Sequence, residues 1–444
     1  MYLTNLEIKN LKLIRYLSCS FERAGKPRMW TVLIGENGLC KTSILRAIAM
    51  AATGYVRANQ LAQEILSSFP DRRQTDTAVE IAARFTFSKE HHADRVYPGL
   101  DPRPDDPPLL ASKIWLEPGR RLVTGASRYD GHDTKEDPVA IARTSDQRHW
   151  FIAGYGVSRS LSPPGAGERN GDPLMSRLDP LFDKGRLVGT AFTDDLEHRA
   201  EYVATLQAIL SGERGLLPHV TDVELRGRGG VRSSEDFIER HRMVFDVGGK
   251  EMKIPAVWMS HGYQATMAWV ADLVGQIFLE AKSPVPAAEM EGIVLVDEID
   301  LHLHPAWQVD LIPTLKRVFP RLQFIVTTHS PMVLPGLTQD EIVLLEQDAD
   351  GNVHASEAPE SPALMTGSDI YRTFFGIDRL YPVDLGEALR RYGFLVGNPL
   401  RTDEEEREMH DLQKRLEDHG LDPGWKPVAR RERPRFPGRG GSAA

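Results

Sequence analysis

The stretch Gly35-Glu36-Asn37-Gly38-Leu39-Cys40-Lys41-Thr42-Ser43 joins the apolar run Thr31-Val32-Leu33-Ile34 to the helix-favouring Ile44-Leu45-Arg46-Ala47-Ile48-Ala49-Met50. A buried strand, a glycine-bearing turn and a helix that opens on Lys and Thr make a phosphate-binding loop. The turn's N–H groups and the helix N-terminus form an anion nest, Lys41 reaches β- and γ-phosphates, and the Thr42 hydroxyl can ligate Mg2+. Gly35, Asn37, Gly38, Cys40, Lys41, Thr42 and Ser43 are therefore the candidate nucleotide cradle. Cys40 stands where a glycine usually precedes the lysine, and a side chain there narrows access to positive φ. A working but tuned loop is expected.

At 444 residues the chain has room for two or three domains, and an apolar fraction of 41% is ample for a true core. The net charge of −9 argues against bulk non-specific attraction to nucleic acid. No window approaches the apolar length of a membrane span. Met1-Tyr2-Leu3-Thr4-Asn5-Leu6-Glu7-Ile8-Lys9 alternates like a strand rather than presenting a basic segment followed by an apolar one. Cys19 and Cys40 are the only cysteines, which disfavours a disulfide framework. A cytoplasmic protein with no membrane partner is expected.

Far downstream, Gly292-Ile293-Val294-Leu295-Val296 is a continuous apolar run ending in Asp297-Glu298. Such a run reads as a strand buried on both faces of a parallel sheet, with its ligands gathered beyond the carboxyl end. Asp297 is placed to hold Mg2+ through water and Glu298 to polarise an attacking water. Phe324-Ile325-Val326-Thr327-Thr328-His329-Ser330-Pro331 reads as a third buried strand with a histidine at its end. Three strand ends then converge on one nucleotide.

Between loop and acids lies Trp258-Met259-Ser260-His261-Gly262-Tyr263-Gln264-Ala265-Thr266, followed by an amphipathic helical stretch through Phe278. In this order the motifs resemble the ATP-binding-cassette superfamily. Ser260 and Gly262 match the core of its signature segment, and His261 replaces the usual second glycine. The resemblance implies a homodimer in which ATP lies at the interface and Ser260 with Gly262 faces the partner's γ-phosphate. Asp297-Glu298-Ile299-Asp300-Leu301-His302-Leu303-His304-Pro305, then Thr327-Thr328-His329-Ser330-Pro331, looks like the SMC/RecF-like AAA-type ATPases of bacterial defence and DNA maintenance. This likeness covers residues 1–60 and 255–350. It implies Asp300 as a cross-dimer contact, His329 as a switch histidine at γ-phosphate, and Arg159, in Tyr155-Gly156-Val157-Ser158-Arg159, near the site. Ser368-Asp369-Ile370-Tyr371-Arg372-Thr373-Phe374-Phe375-Gly376 resembles the Septu-type anti-phage ATPases, which implies a separate effector such as an HNH nuclease.

The fold class expected is α/β: an ABC-ATPase (SMC/RecF-like) head with a mixed sheet, a small helical insertion and a helical C-terminal extension. An ATPase lobe over residues 1–90 is followed by an exposed insertion at 88–148, rich in Pro, Asp, Arg and His. Then come a core segment at 149–175, a small helical and strand insertion at 176–255, and the second lobe at 256–350. A helical module at 351–425 and a disordered basic tail at 426–444 complete the chain. Within these, Asp195 to Ser211 reads as a helix, and Glu341-Ile342-Val343-Leu344-Leu345-Glu346 with a turn at Asp348-Ala349-Asp350-Gly351 as a hairpin. Thr402-Asp403-Glu404-Glu405 is a capping box. No sustained heptad suits a long coiled coil. His302, His304 and His329 lack the further ligands zinc requires and read better as a helix-entry turn beside Pro305. A built-in nuclease is disfavoured, since the segment after Glu346 lacks an Asp-x-Asp strand end.

The expected function is ATP binding and slow hydrolysis by a homodimer that regulates a partner effector in anti-phage defence, with Lys41, Glu298 and His329 as the catalytic set and ATP and Mg2+ as cofactors. Two alternatives stay open: a RecF-like DNA repair ATPase that binds DNA across the dimer, and an ATP-bound scaffold with negligible turnover. Nucleic acid stays open as a partner.

Overall fold

In the computed structural model the described residues are 1–132, 134, 136–144, 149–159, 177–182, 199–213, 215–217, 219–226, 240–281, 285–377, 382–422 and 424–429. The expected core segment after Arg159, much of the 176–255 insertion and the tail from residue 430 lie outside them.

Two sheets enclose one helix. The first is antiparallel, in spatial order β2-β1-β6-β7-β8, from β1 (Tyr2–Leu11), β2 (Ile14–Ser20), β6 (Val79–Thr86), β7 (Leu110–Leu116) and β8 (Thr124–Tyr129); β3 (Glu22–Arg23) and β4 (Lys26–Pro27) form a short separate hairpin. β6 and β7 alternate buried and less buried positions, as a sheet with one covered face should. The second sheet runs β16-β15-β5-β14-β13-β9. Parallel β5 (Trp30–Ile34), β9 (Ile152–Tyr155), β13 (Gly292–Val296), β14 (Leu322–Thr327) and β15 (Ile342–Gln347) carry antiparallel β16 (Val353–Glu357) at one edge. Every residue of β5, β9, β13 and β14 is buried, which is why these strands are predominantly apolar.

Helix α1 (Lys41–Ala62) packs against β6, β7 and β8 on one side and against β9, β13 and β14 on the other. It is buried nearly all round, and Ala47, Ala49, Ala51, Ala52, Ala58 and Ala62 keep it slim enough for the gap between sheets. Its entry residue, Cys40, sits in the left-handed region at φ 61°. Cys40 is only 8% exposed and belongs to the core around α1.

The stretch 88–148 differs from the expected exposed insertion. It supplies β7 and β8 to the antiparallel sheet, adds helix α2 (Pro138–Thr144), and buries Tyr97, Leu110, Ile114, Tyr129 and Val139. Its charged and prolyl residues concentrate in the connections, which masked short strands whose apolar faces are only half of each segment. Farther on, helix α3 (Arg199–Leu210) precedes a three-stranded antiparallel sheet of β10 (Val220–Leu225), β11 (His241–Val247) and β12 (Lys250–Pro255). Helices α4 (His261–Ala281) and α5 (Pro305–Val318) flank β13 in the chain. The hairpin expected after residue 341 is β15 and β16, and it joins the main sheet.

Contacts divide the chain at residue 370 into two compact units, and α6 (Gly367–Phe375) spans the division. The C-terminal unit contains α7 (Val383–Gly397) and α8 (Asp403–Asp418), with a small core of Ala388, Tyr392, Leu395, Val396, Met409 and Leu416. Thr402 and Glu405 exchange side-chain and backbone hydrogen bonds, the capping box that opens α8.

One buried amide joins the two large sheets. Gln323, on β14 and fully buried, accepts the Leu3 N–H through Oε1 at 2.7 Å and donates Nε2 to Leu3 O at 2.9 Å and Arg28 O at 3.0 Å. Leu3 lies at a register shift between β1 and β6, where ladder partners are lost.

Gln323→Leu, close in size, leaves the Leu3 N–H and C=O buried without these partners and is expected to cost about 2–4 kcal/mol in urea unfolding. At position 40 the order of two truncations tests the backbone: both remove the thiol, but only glycine adopts positive φ freely. Cys40→Gly is expected to be more stable than Cys40→Ala by about 1 kcal/mol, the reverse of their order inside a helix, read by thermal unfolding of the two variants side by side.

Candidate functional site

The register of the parallel sheet sets the site. Val296 lies opposite Val326 and Tyr155, and Thr327 lies opposite Leu33, so β5, β14, β13 and β9 end at one level. Beyond that level lie the phosphate loop, Thr328-His329, Asp297-Glu298 and Gly156–Arg159.

In the loop, Glu36, Asn37 and Gly38 are exposed, Gly38 has φ 89°, and Ser43 is buried at the start of α1. Lys41 folds back over the turn, donating Nζ to Gly35 O at 2.7 Å and to Glu36 O at 2.8 Å. Burial holds its ammonium below the ordinary lysine value, against the attraction of Asp297 and Glu298. The Cys40 thiol points toward Gly38 O at 3.8 Å, and burial pushes its pKa up, so it stays a protonated thiol.

Asp297 joins three elements. Its Oδ2 accepts the Thr42 hydroxyl of α1 at 2.7 Å, and its Oδ1 accepts the Thr327 hydroxyl of β14 at 2.6 Å. Its backbone N–H donates to Tyr155 O of β9 at 2.8 Å. Thr42 Oγ1 and Asp297 Oδ2, held together by that bond, are hard oxygen donors of the kind Mg2+ takes, directly or through its waters.

Glu298 has φ 46°, an unfavourable region for a side chain with a Cβ. Neighbours on both sides hold it there. Its N–H donates to Thr327 Oγ1 at 2.7 Å, and its C=O accepts from Arg159 Nη2. Arg159 also donates to Asp297 O at 2.6 Å and Gly156 O at 3.2 Å. It is 2% exposed, and burial lowers its pKa to about 10. Strain of this kind persists only where the surroundings over-determine it.

Asp300 accepts the Thr328 hydroxyl. His329 follows, partly buried, with its pKa depressed first by burial and then by the Lys41 charge. Past Asp300, Gln308 of α5 donates to Leu303 O at 2.9 Å and accepts the Ser330 hydroxyl, fastening the turn to the segment that follows β14. His304 caps α5 by accepting the Ala306 N–H at Nδ1, 3.3 Å, and Pro305 opens the helix.

Ser260 and Gly262 occupy a different place from the loop. Ser260 and His261 are exposed at the start of α4, and Gly262 is buried against the turn that follows the acids. A Cβ at Gly262 would stand 2.4 Å from His302 O, so only glycine fits. His302 itself has φ 68°.

The structure thus brings together Gly35, Gly38, Lys41, Thr42, Asp297, Glu298, Asp300 and His329, with Ser260 and Gly262 on the far side of the same turn. Sequence reasoning gave no role to Thr327, the hydroxyl between Asp297 and Glu298, or to Gln308. The signal for Thr327 was a hydroxyl residue at the carboxyl end of an otherwise apolar strand.

Known proteins resemble this chain over parts of its length. The Septu protein PtuA of Bacillus mycoides (strain KBAB4) is 26% identical over 419 residues, 94% of this chain and 50% of its own length. The Retron Ec83 probable ATPase of Escherichia coli is 31% identical over 173 residues, 39% of this chain and 31% of its own. The chain thus spans half or less of these curated relatives. Among solved structures, the crystal structure of the SmcHead bound to the C-winged helix domain of ScpA is similar at 16% identity and TM-score 0.48, covering 80% of this chain and 97% of that one. A family model described as AAA domain, putative AbiEii toxin, Type IV TA system, matches residues 30–334. With more than half its length matched, the chain belongs to this AAA-domain family.

Proposed function

We propose that this protein binds and hydrolyses ATP with Mg2+ at the loop and acid pair, and that as a homodimer it governs a separate effector in anti-phage defence. The observation that carries the reading is the Thr42–Asp297 pair at 2.7 Å, with Glu298 held beside it by Thr327 and Arg159. Mg2+, when bound by Thr42 and Asp297, supplies charge neutralisation for the β- and γ-phosphates. Lys41 exchanges its two carbonyl partners for phosphate oxygens. Glu298 orients and polarises the attacking water, its backbone fixed so that little reorganisation accompanies reaction. His329 and Asp300 face γ-phosphate and the dimer contact. Exposure of Ser260 at the N-terminus of α4 supports its presentation to the partner's nucleotide, while Gly262, the other half of the expected pair, is buried against the His302 carbonyl. The defence setting is supported by relatives named for Septu and retron systems, and a nuclease of HNH type is an effector of the expected kind.

Glu298→Gln is expected to lower kcat by about 100-fold or more while ATP still binds, and Lys41→Ala to abolish binding, both followed by steady-state phosphate release and nucleotide titration. Turnover unchanged by Glu298→Gln would remove the proposed role of that residue. Mass spectrometry of proteins recovered with tagged Glu298→Gln, expressed alongside its genomic neighbours with ATP present, is expected to find a stoichiometric effector; a homodimer recovered alone would overturn effector control.

A further inference from the structure

At the end of the parallel sheet opposite the nucleotide, three side chains from separate stretches converge. Glu291 immediately precedes β13, His149 lies three residues before β9, and His91 follows β6. β9 and β13 are parallel neighbours, with Ile152 opposite Ile293, so His149 and Glu291 share the amino end of that pair. One ligand atom from each of His91, His149 and Glu291 lies within 4.8 Å of the others.

The local hydrogen bonding prepares these groups for a cation. Glu291, whose side chain is 1% exposed, accepts Ser88 Oγ at 2.9 Å and Arg95 Nη2 at 3.1 Å, both at Oε2. That orients the carboxylate through one oxygen and directs Oε1 to His91 Nε2, 3.7 Å away. The gap is too long for a hydrogen bond, and His91 Nε2 is a buried nitrogen with no hydrogen-bond partner. It is close to the separation of two ligands on tetrahedral zinc, about 3.4 Å for bonds of 2.0–2.1 Å. The His149 ring stacks on His91, centroids 4.3 Å apart and planes 9° from parallel. One imidazole must turn about Cβ–Cγ to aim its lone pair at a shared ion, and that torsion is soft.

We propose that His91, His149 and Glu291 form a zinc site, with water in the fourth position and Ser88 and Arg95 as the outer shell that fixes the carboxylate. Two imidazoles and a carboxylate are a zinc donor set. The bound ion would tie the segment after β6 to the floor of the parallel sheet, away from Asp297 and the phosphate loop. It is separate from the nucleotide site and stands or falls independently of it.

The test is Zn2+ titration of tag-free, metal-stripped protein against a chelator, with excess Mg2+ to saturate hard-oxygen sites, alongside His91→Ala and His149→Ala. Both variants keep the Arg95–Glu291 pair. One Zn2+ per wild-type chain is expected, a loss of at least roughly 100-fold in affinity in each variant, and a Zn2+-dependent rise in Tm seen only in the wild type. Co2+ bound to the wild type should give the visible absorption of a tetrahedral site with nitrogen and oxygen ligands, a readout that needs no variant to fold. Wild-type protein that binds no Zn2+, or variants that bind it as tightly as the wild type, would overturn the proposal.

Discussion

The carboxylate of Asp297 is the point through which the nucleotide-binding edge is assembled. One oxygen receives the first turn of α1, the other the end of β14, and the backbone N–H of the same residue is bonded to β9. Its residue is 4% exposed, so charge-assisted hydrogen bonds from two hydroxyls compensate its desolvation. The bond that joins Thr42 to Asp297 also spans the chain, since the two residues are separated by 255 positions. Loop and acid pair are thereby held side by side.

Around that carboxylate, buried groups and unfavourable backbone conformations meet where chemistry is proposed. Cys40, Glu298 and His302 each hold a positive φ without being glycine, and all three border the site. Arg159 spends its guanidinium on the carbonyls of the acid turn, an arrangement that brings a buried cation beside two acids without a direct ion pair. The gain is geometric: the backbone of Glu298 is gripped from both ends. Away from the site, the Gln323 amide performs the analogous service between the sheets with no charge at all.

Most of the nucleotide edge was legible in the chain because each part is a local pattern. A strand followed by Gly35–Ser43, an apolar run ending in Asp297-Glu298, and a run ending in Thr328-His329 announce themselves by order and composition. Their convergence follows from parallel pairing, which puts all carboxyl ends on one side. Residues 88–148 were harder to read. Leu110–Leu116 alternates with Ser112 and Lys113 among its apolar residues, and Pro-rich connections on the N-terminal side dominate any average over the window. The service of Thr327 to two acids at once, and the meeting of His91, His149 and Glu291, depend on register and on chain separations of many tens of residues. The second leaves no local mark, and the first leaves only a hydroxyl at a strand end.

Gly262 and the His302 carbonyl touch with no side chain between them. Such a contact has no slack to absorb displacement, since backbone presses on backbone. A shift of helix α4 toward the turn after the acids therefore has no room unless the His302 peptide yields with it.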